Sequence, residues 1–290
     1  ILAEKIDAIN IDFLYNIAKD YKRQIEFIDI SEFDKRIPFD FSTGGYNSIV
    51  LSRLFLGSIL PADIKCVLYL DCDTIISNSI RELENISFQR NLVAAVPELY
   101  MPTEKKVLLG LQKDEIYYNA GVLLINLSLW RTEDVETRFK EYYRSMNGRL
   151  LYNDQDIINF CCRGRILTLS YTYNLSTNLF YFPRFYVKKL QPAYDTSSAD
   201  KYSQILSSPA IIHYMGDERP WISGNCNKYR MQYEYYMKKS PWKNEPLIEG
   251  QRFYMLCYHL LNLVTLICPW FRTIFTRVIG INRYKWFRKR

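Results

Sequence analysis

The sequence predicts an α/β fold in which a mostly parallel sheet carries helices on both faces, followed by a C-terminal helical basic tail. Short apolar runs alternate with helically spaced stretches, which is the pattern of βα units. One of those runs is apolar throughout, as strands covered on both faces are. Charge and aromatic content then change abruptly near residue 250. With 290 residues, 48% apolar and 24% charged, the chain has a folded composition and length enough for a substantial core.

Ile6, Ile9, Phe13, Leu14 and Ile17 recur at helical spacing and are followed by the alternating segment Gln24 to Ile30, an αβ unit without an opening strand. A Gly44-Gly45 turn precedes a helical stretch from Ser48 to Leu60 that Pro61 closes. Cys66 to Leu70 reads as a buried parallel strand. Further strands are expected at Leu92 to Val96, Gly121 to Leu127 and Ala210 to Tyr214, and helices at Ser128 to Met146, capped by Ser128, and at Asp154 to Cys162. The chain opens on Ile1, so a preceding segment is expected and no signal peptide can be judged from it.

The net charge of +7 is unevenly placed. The last 40 residues hold eight of the 38 Lys and Arg and none of the 31 acids, which leaves −1 for residues 1–250. A neutral body argues against nucleic-acid binding, because counterion release needs a cationic surface on the domain itself. Seven cysteines without a paired zinc-type spacing fit free thiols in a reducing, cytoplasmic compartment. Residues 1–249 therefore read as the functional domain and 250–290 as a tail. Phe253 to Phe271 lacks formal charge over nineteen residues but contains His259, Asn262, Thr265 and Pro269. A helix lying in the interface of an anionic membrane explains both its aromatics and its flanking cations; a membrane span, and an interface with another subunit or with the body, are the other two readings.

The chemistry concentrates in Leu68 to Ile76, where an apolar strand ends in Asp71-Cys72-Asp73. Side chains at i and i+2 of an extended backbone point the same way, so the two carboxylates converge and need a cation between them. The carboxyl edge of a parallel strand is where α/β proteins hold ligands, so the expected occupant is a divalent metal on a phosphorylated substrate. An isolated Asp-x-Asp fits solvated or helix-capping acids equally well. His213 ends a second apolar run, where a lone histidine is more often a hydrogen-bonded core residue than a ligand; with two carboxylates it would make a donor set that favours Mn²⁺. Gly216 lets backbone approach a phosphate and Arg219 offers it a forked cation. Asn119 opens another strand, and Asp154-Gln155-Asp156 begins a helix, where acids also serve the helix dipole.

These segments stand in the order and spacing of glycosyltransferase family 8, which the chain resembles from about Ile25 to Trp221. They are the strand ending in Asp71-Cys72-Asp73, the Asn119 to Asn126 strand with trailing Trp130-Arg131, Asp154-Gln155-Asp156, and His213-Tyr214 through Pro220-Trp221. The resemblance implies a glycosyltransferase A-type, Rossmann-like fold. It also implies retaining transfer of a hexose from UDP-glucose or UDP-galactose, with Mn²⁺ or Mg²⁺, to a saccharide or lipid-linked glycan acceptor. Carried over by position, Asp71, Asp73 and His213 are the metal ligands. Gln155, Asp154 and Asn119 serve the transferred sugar or acceptor. Arg53, Cys72, Asn119, Ala120, Gly216 and Arg219 contact the nucleotide-sugar.

Three departures stand out: Arg219 replaces the family's Lys, Leu51 replaces a Tyr two residues before Arg53, and the base-cradling first strand has no counterpart before Ile1. The last of these leaves a catalytically inactive membrane-bound partner subunit as an alternative. A haloacid-dehalogenase-like phosphatase would also place an Asp-x-Asp after a strand, but needs it on the first one. Combined with the basic tail, the resemblance implies an enzyme of lipopolysaccharide or capsule synthesis on the inner face of the cytoplasmic membrane. Gln155 is a poor nucleophile, which favours front-face attack aided by the departing phosphate.

Overall fold

The computed structural model describes residues 1–31, 48–194 and 198–278. The Gly44-Gly45 turn and the terminal cations Arg283, Lys285, Arg288, Lys289 and Arg290 lie outside the described residues. Among the described residues nine strands fall into three sheets: β1 (Leu2–Ala3) with β2 (Ile28–Asp29), β3-β6-β5-β7, and β4-β9-β8. The central sheet comprises β3 (Cys66–Leu70), β6 (Tyr118–Asn126), β5 (Val93–Pro97) and β7 (Ile166–Thr168), and the third sheet β4 (Thr74–Ile76), β9 (Ile211–His213) and β8 (Leu175–Ser176).

β5 and β7 are parallel neighbours, whereas β6 runs antiparallel to both β3 and β5. Three of the four central strands thus share one direction and β6 reverses between them. Cys66–Leu70 is correspondingly corrected: its hydrogen-bonded neighbour is antiparallel, and it is half-buried rather than enclosed. An apolar run reports burial, not the direction of its partner. The helix Ala8–Asp20 does have an opening strand, the two-residue β1, too short to show alternation.

Period-two alternation divides the core. Val93 and Ala95 of β5 with Leu123 and Ile125 of β6 face one cluster, which also holds Leu51, Leu54, Trp130, Phe139 and Ile157. Ala94, Val96 and Leu124 face the other, with Leu175, Tyr181, Ile212, Tyr214 and Tyr258. Helix Asp154–Cys161 is seated by Ile157 and Ile158, both essentially solvent-free; such side chains stabilise by ~1.5–3 kcal/mol each.

The expected helix from Ser128 to Met146 is two helices, Leu127–Thr132 and Val135–Ser145. Asp134 breaks it by adopting φ 47°, and the first cap is Asn126, whose side chain accepts from the Leu129 N–H. Arg131 then ties this corner down by donating to the carbonyls of Gly57, Leu60, Pro61 and Ile64. At the C-terminus, helix Arg252–Ile267 ends at Cys268 and a second helical stretch covers 269–278. Among the described residues no helix is long and apolar enough to cross a membrane.

Candidate active site

Asp71, Cys72 and Asp73 occupy the link where the chain leaves the central sheet and enters the third one. β3 pairs with β6 as far as Leu70 opposite Val122, and the Asp71 N–H continues that ladder to the Gly121 carbonyl at 2.8 Å. On the far side β4 pairs Thr74 with His213, and the Tyr214 N–H reaches the Asp73 carbonyl at 2.8 Å. Two pieces of chain remote in sequence are thus pinned by backbone bonds to opposite ends of one three-residue link. The consequence is a convergence of side chains. His213 Nε2 lies 3.2 Å from Asp73 Oδ1 and 3.9 Å from Asp71 Oδ2.

The imidazole is held from behind. Gly121 N–H donates to Asn119 Oδ1 at 2.8 Å, and Asn174 Nδ2 donates to the same oxygen at 2.8 Å. That orientation leaves Asn174 Oδ1 to accept from His213 Nδ1 at 2.9 Å. Nε2 is therefore the nitrogen turned to the carboxylates, the arrangement in which an outer hydrogen bond fixes a metal-binding tautomer. The relay ends at Glu98, whose Oε2 accepts from Asn119 Nδ2 at 2.8 Å; burial pushes this carboxyl above its ordinary range.

Gly121 is required by space. A Cβ there would lie 2.2 Å from His213 Cε1 and 3.0 Å from Asp71 Oδ2. Burial pushes the Asp73 carboxyl up, but the His213 hydrogen bond, the His213 charge and Arg219 together outweigh it and hold the group below its usual value. Two carboxylates and one imidazole nitrogen within this distance form a hard, oxygen-rich donor set that fits Mn²⁺ or Mg²⁺.

Arg53 lies beneath the acids. The residue is 6% exposed, and its guanidinium contacts Asp71 Oδ1 at 2.8 Å, Asp154 Oδ2 at 3.2 Å and the Ala120 carbonyl at 2.7 Å. It stacks over Tyr69, whose hydroxyl donates to Asp71 Oδ1 at 2.9 Å. Burial would weaken the arginine's charge, yet Asp154 and Asp71 more than restore it and raise its pKa.

Burial pushes Asp154 up to about 6 against the pull of Arg53. Asp156 is also raised to about 6 by burial and accepts from the Tyr117 hydroxyl and the Leu151 and Tyr152 N–H groups. Asn153 precedes both at φ 40°, ψ −105°, a strained backbone that costs about 1–3 kcal/mol. Gln155 Oε1 accepts from the Ala120 N–H at 3.0 Å, so both backbone groups of Ala120 are engaged.

Cys72 stands between the two acids with much of its surface open; partial burial of its thiol and the flanking carboxylates raise its pKa. Gly216 takes φ 92°, and Arg219 curls back to donate to the Gly216 carbonyl at 3.0 Å. The structure thus gathers Asp71, Asp73, His213, Arg53, Asn119, Ala120, Asp154 and Gln155 around one connected network, with Gly216 and Arg219 on the loop that leaves it.

Sequence reasoning missed Glu98, Asn174, Tyr69 and the role of Gly121. Glu98 had a signal, since it follows strand β5 as Asp71 follows β3. Asn174 had none, because its partners lie 39 and 55 residues away.

The glycosyl transferase family 8 sequence profile matches residues 1–224. A putative glycosyltransferase of Haemophilus influenzae is 28% identical over 227 residues, 76% of this chain and 63% of the relative. The chain thus spans less than two thirds of that relative's length. The lipopolysaccharide 1,3-galactosyltransferase of Salmonella typhimurium is 28% identical over 262 residues, 85% of this chain and 71% of that one. Among solved structures, the galactosyltransferase LgtC in complex with donor and acceptor sugar analogs superposes with a TM-score of 0.64 at 23% identity, covering 81% of this chain and 82% of LgtC. That likeness gives the architecture, a glycosyltransferase A-type fold. With the profile spanning more than three quarters of the sequence, the chain belongs to glycosyl transferase family 8.

Proposed function

We propose that this protein transfers a hexosyl group, with retention, from UDP-glucose or UDP-galactose to a hydroxyl of a saccharide or lipid-linked glycan in lipopolysaccharide synthesis. Residues 1–249 act as the catalytic domain and 250–290 as its attachment. The observation that carries this reading is the convergence of Asp71, Asp73 and His213 from remote stretches. The name of the Salmonella typhimurium relative supports the acceptor class.

Asp71, Asp73 and His213 would hold Mn²⁺ or Mg²⁺, which would supply positive charge to a departing diphosphate. The chain's own residues do the rest. Arg219 swings from its own loop carbonyl to add a forked charge to the diphosphate, and Gly216 admits the phosphate to the backbone. Arg53 keeps Asp71 aimed, while Gln155 and Asn119, each anchored to the β6 backbone, present amide groups to sugar hydroxyls. Asp154 stands behind Arg53 at the sugar end. Gln155 is a neutral amide and a poor nucleophile, so the acceptor hydroxyl attacks from the face the diphosphate leaves and passes its proton to that phosphate. Asp71→Asn and Asp73→Asn are expected to lower sugar transfer by about 10²–10³-fold, measured as UDP release with Mn²⁺. Near-native turnover in either variant overturns the assignment.

The tail reading rests on Phe253, Leu256, Leu260, Leu263 and Ile267, all exposed at helical spacing, while Met255, Tyr258 and Thr265 on the other face are buried. An exposed apolar stripe flanked by cations suits an anionic bilayer, consistent with the cytoplasmic face of the membrane. Leu256→Ser with Leu260→Ser and Leu263→Ser is expected to abolish sedimentation with anionic vesicles and leave UDP release intact; retained sedimentation refutes it.

A further inference from the structure

The second histidine lies apart from the site above, where helix Arg252–Ile267 meets the loop after β9. His259 Nε2 faces Glu218 Oε1 at 2.8 Å, and His259 Nδ1 faces Cys226 Sγ at 3.7 Å. Glu218 is buried and its oxygens are already engaged. Oε1 also accepts from the Cys226 N–H at 2.7 Å, and Oε2 accepts from the Tyr181 hydroxyl at 3.0 Å and from Asn262 Nδ2 at 3.4 Å. A carboxylate so occupied is a poor direct ligand but a firm support for an imidazole. With Nε2–H given to Glu218, the lone pair sits on Nδ1 and points to the thiol.

The spacing of that pair is informative. Tetrahedral zinc, with Zn–S near 2.3 Å and Zn–N near 2.0–2.1 Å, sets its sulfur and nitrogen ligands about 3.5 Å apart. The Cys226–His259 separation is close to this before any adjustment. A carboxylate donating orientation to the far ring nitrogen is the usual outer partner of a zinc-bound histidine. Cys226 is exposed, so an ion and its completing waters can enter. Sulfur and imidazole together select a thiophilic divalent ion over the hard cations suited to Asp71 and Asp73.

We propose that Cys226 and His259 form a second metal site, for Zn²⁺ or an ion of its class, with Glu218 as the positioning residue. Binding releases the thiol proton to solvent and leaves water in the remaining coordination positions. The ion joins the C-terminal helix to the loop that carries Gly216 and Arg219. This site is independent of the transfer chemistry, and its test needs no sugar donor.

The test titrates Co²⁺ into the full chain with excess Mg²⁺ present to occupy hard oxygen sites. A thiolate-to-cobalt charge-transfer absorption saturating at one equivalent and displaced by Zn²⁺ is expected. Cys226→Ser, a change at an exposed position, should abolish the band, and His259→Gln should weaken Co²⁺ binding at least tenfold, whereas Cys72→Ser should leave both unchanged. Circular dichroism confirms that each variant is folded. Absence of the band in the unaltered protein, or its survival in folded Cys226→Ser, overturns the proposal and leaves an S–H···N hydrogen bond in its place.

Discussion

The chain's two histidines are held in opposite senses. His213 is backed through Nδ1 by the neutral amide of Asn174 and turns Nε2 to two half-open carboxylates. His259 is backed through Nε2 by the buried carboxylate of Glu218 and turns Nδ1 to an exposed thiol. The group behind each ring decides which nitrogen is offered, and the group in front decides which ion suits it. An amide relay is adequate where the front already carries negative charge. Where the front is a neutral thiol, the carboxylate stands behind.

The strongest way to break this contrast is to disable one ring and leave the other. Gly121→Ala drives a methyl into His213 and Asp71, and UDP release is expected to fall by about 10²–10³-fold, while the cobalt absorption at Cys226 is unchanged. Loss of both would mean that the two sites are not separately built.

A smaller effect follows from removing only the backing. Asn174→Ala deletes the acceptor for His213 Nδ1 and should weaken Mn²⁺ binding by about 10–100-fold, read by titration. Unchanged affinity would show that the carboxylates alone orient the ring.

The smallest effect is on stability. Asp154 and Asp156 are raised to about 6 by burial, so between their unfolded values near 4 and about 6 the folded chain holds more protons than the unfolded one. Raising the pH through that window therefore costs stability, on the order of 1–3 kcal/mol per group. Asp154→Asn should flatten this part of a urea-midpoint profile; an unaltered slope would place the titration elsewhere.

The signals for the central site lay in residues whose neighbours in sequence are also neighbours in space. Asp71 and Asp73 share a side because an extended backbone repeats every two residues, and His213 closes a visible apolar run. The network behind them was hidden. Asn174 acts through contacts spanning tens of residues, and an isolated Asn carries no periodicity to betray that; of the network only Glu98 left a trace, following a strand end as Asp71 does. The direction of β6 and the break at Asp134 were hidden for related reasons, since strand partners and a single left-handed backbone conformation leave little trace in composition. Arg53 was legible as important, but its burial beneath Asp71 and Asp154 depends on how the Ser48–Phe55 segment packs.

One rod at the C-terminus carries both an inner row, Met255, Tyr258 and Thr265, and an outer row, Leu256, Leu260 and Leu263. Tyr258 packs edge-on against Tyr181 in the core, so anything that grips the outer row inherits the tilt of the whole body. On the proposed reading of the outer row as the attachment, attachment and aim are a single property: a docked molecule would present its cleft at a set height, and only acceptors whose reactive end projects that far would come within reach.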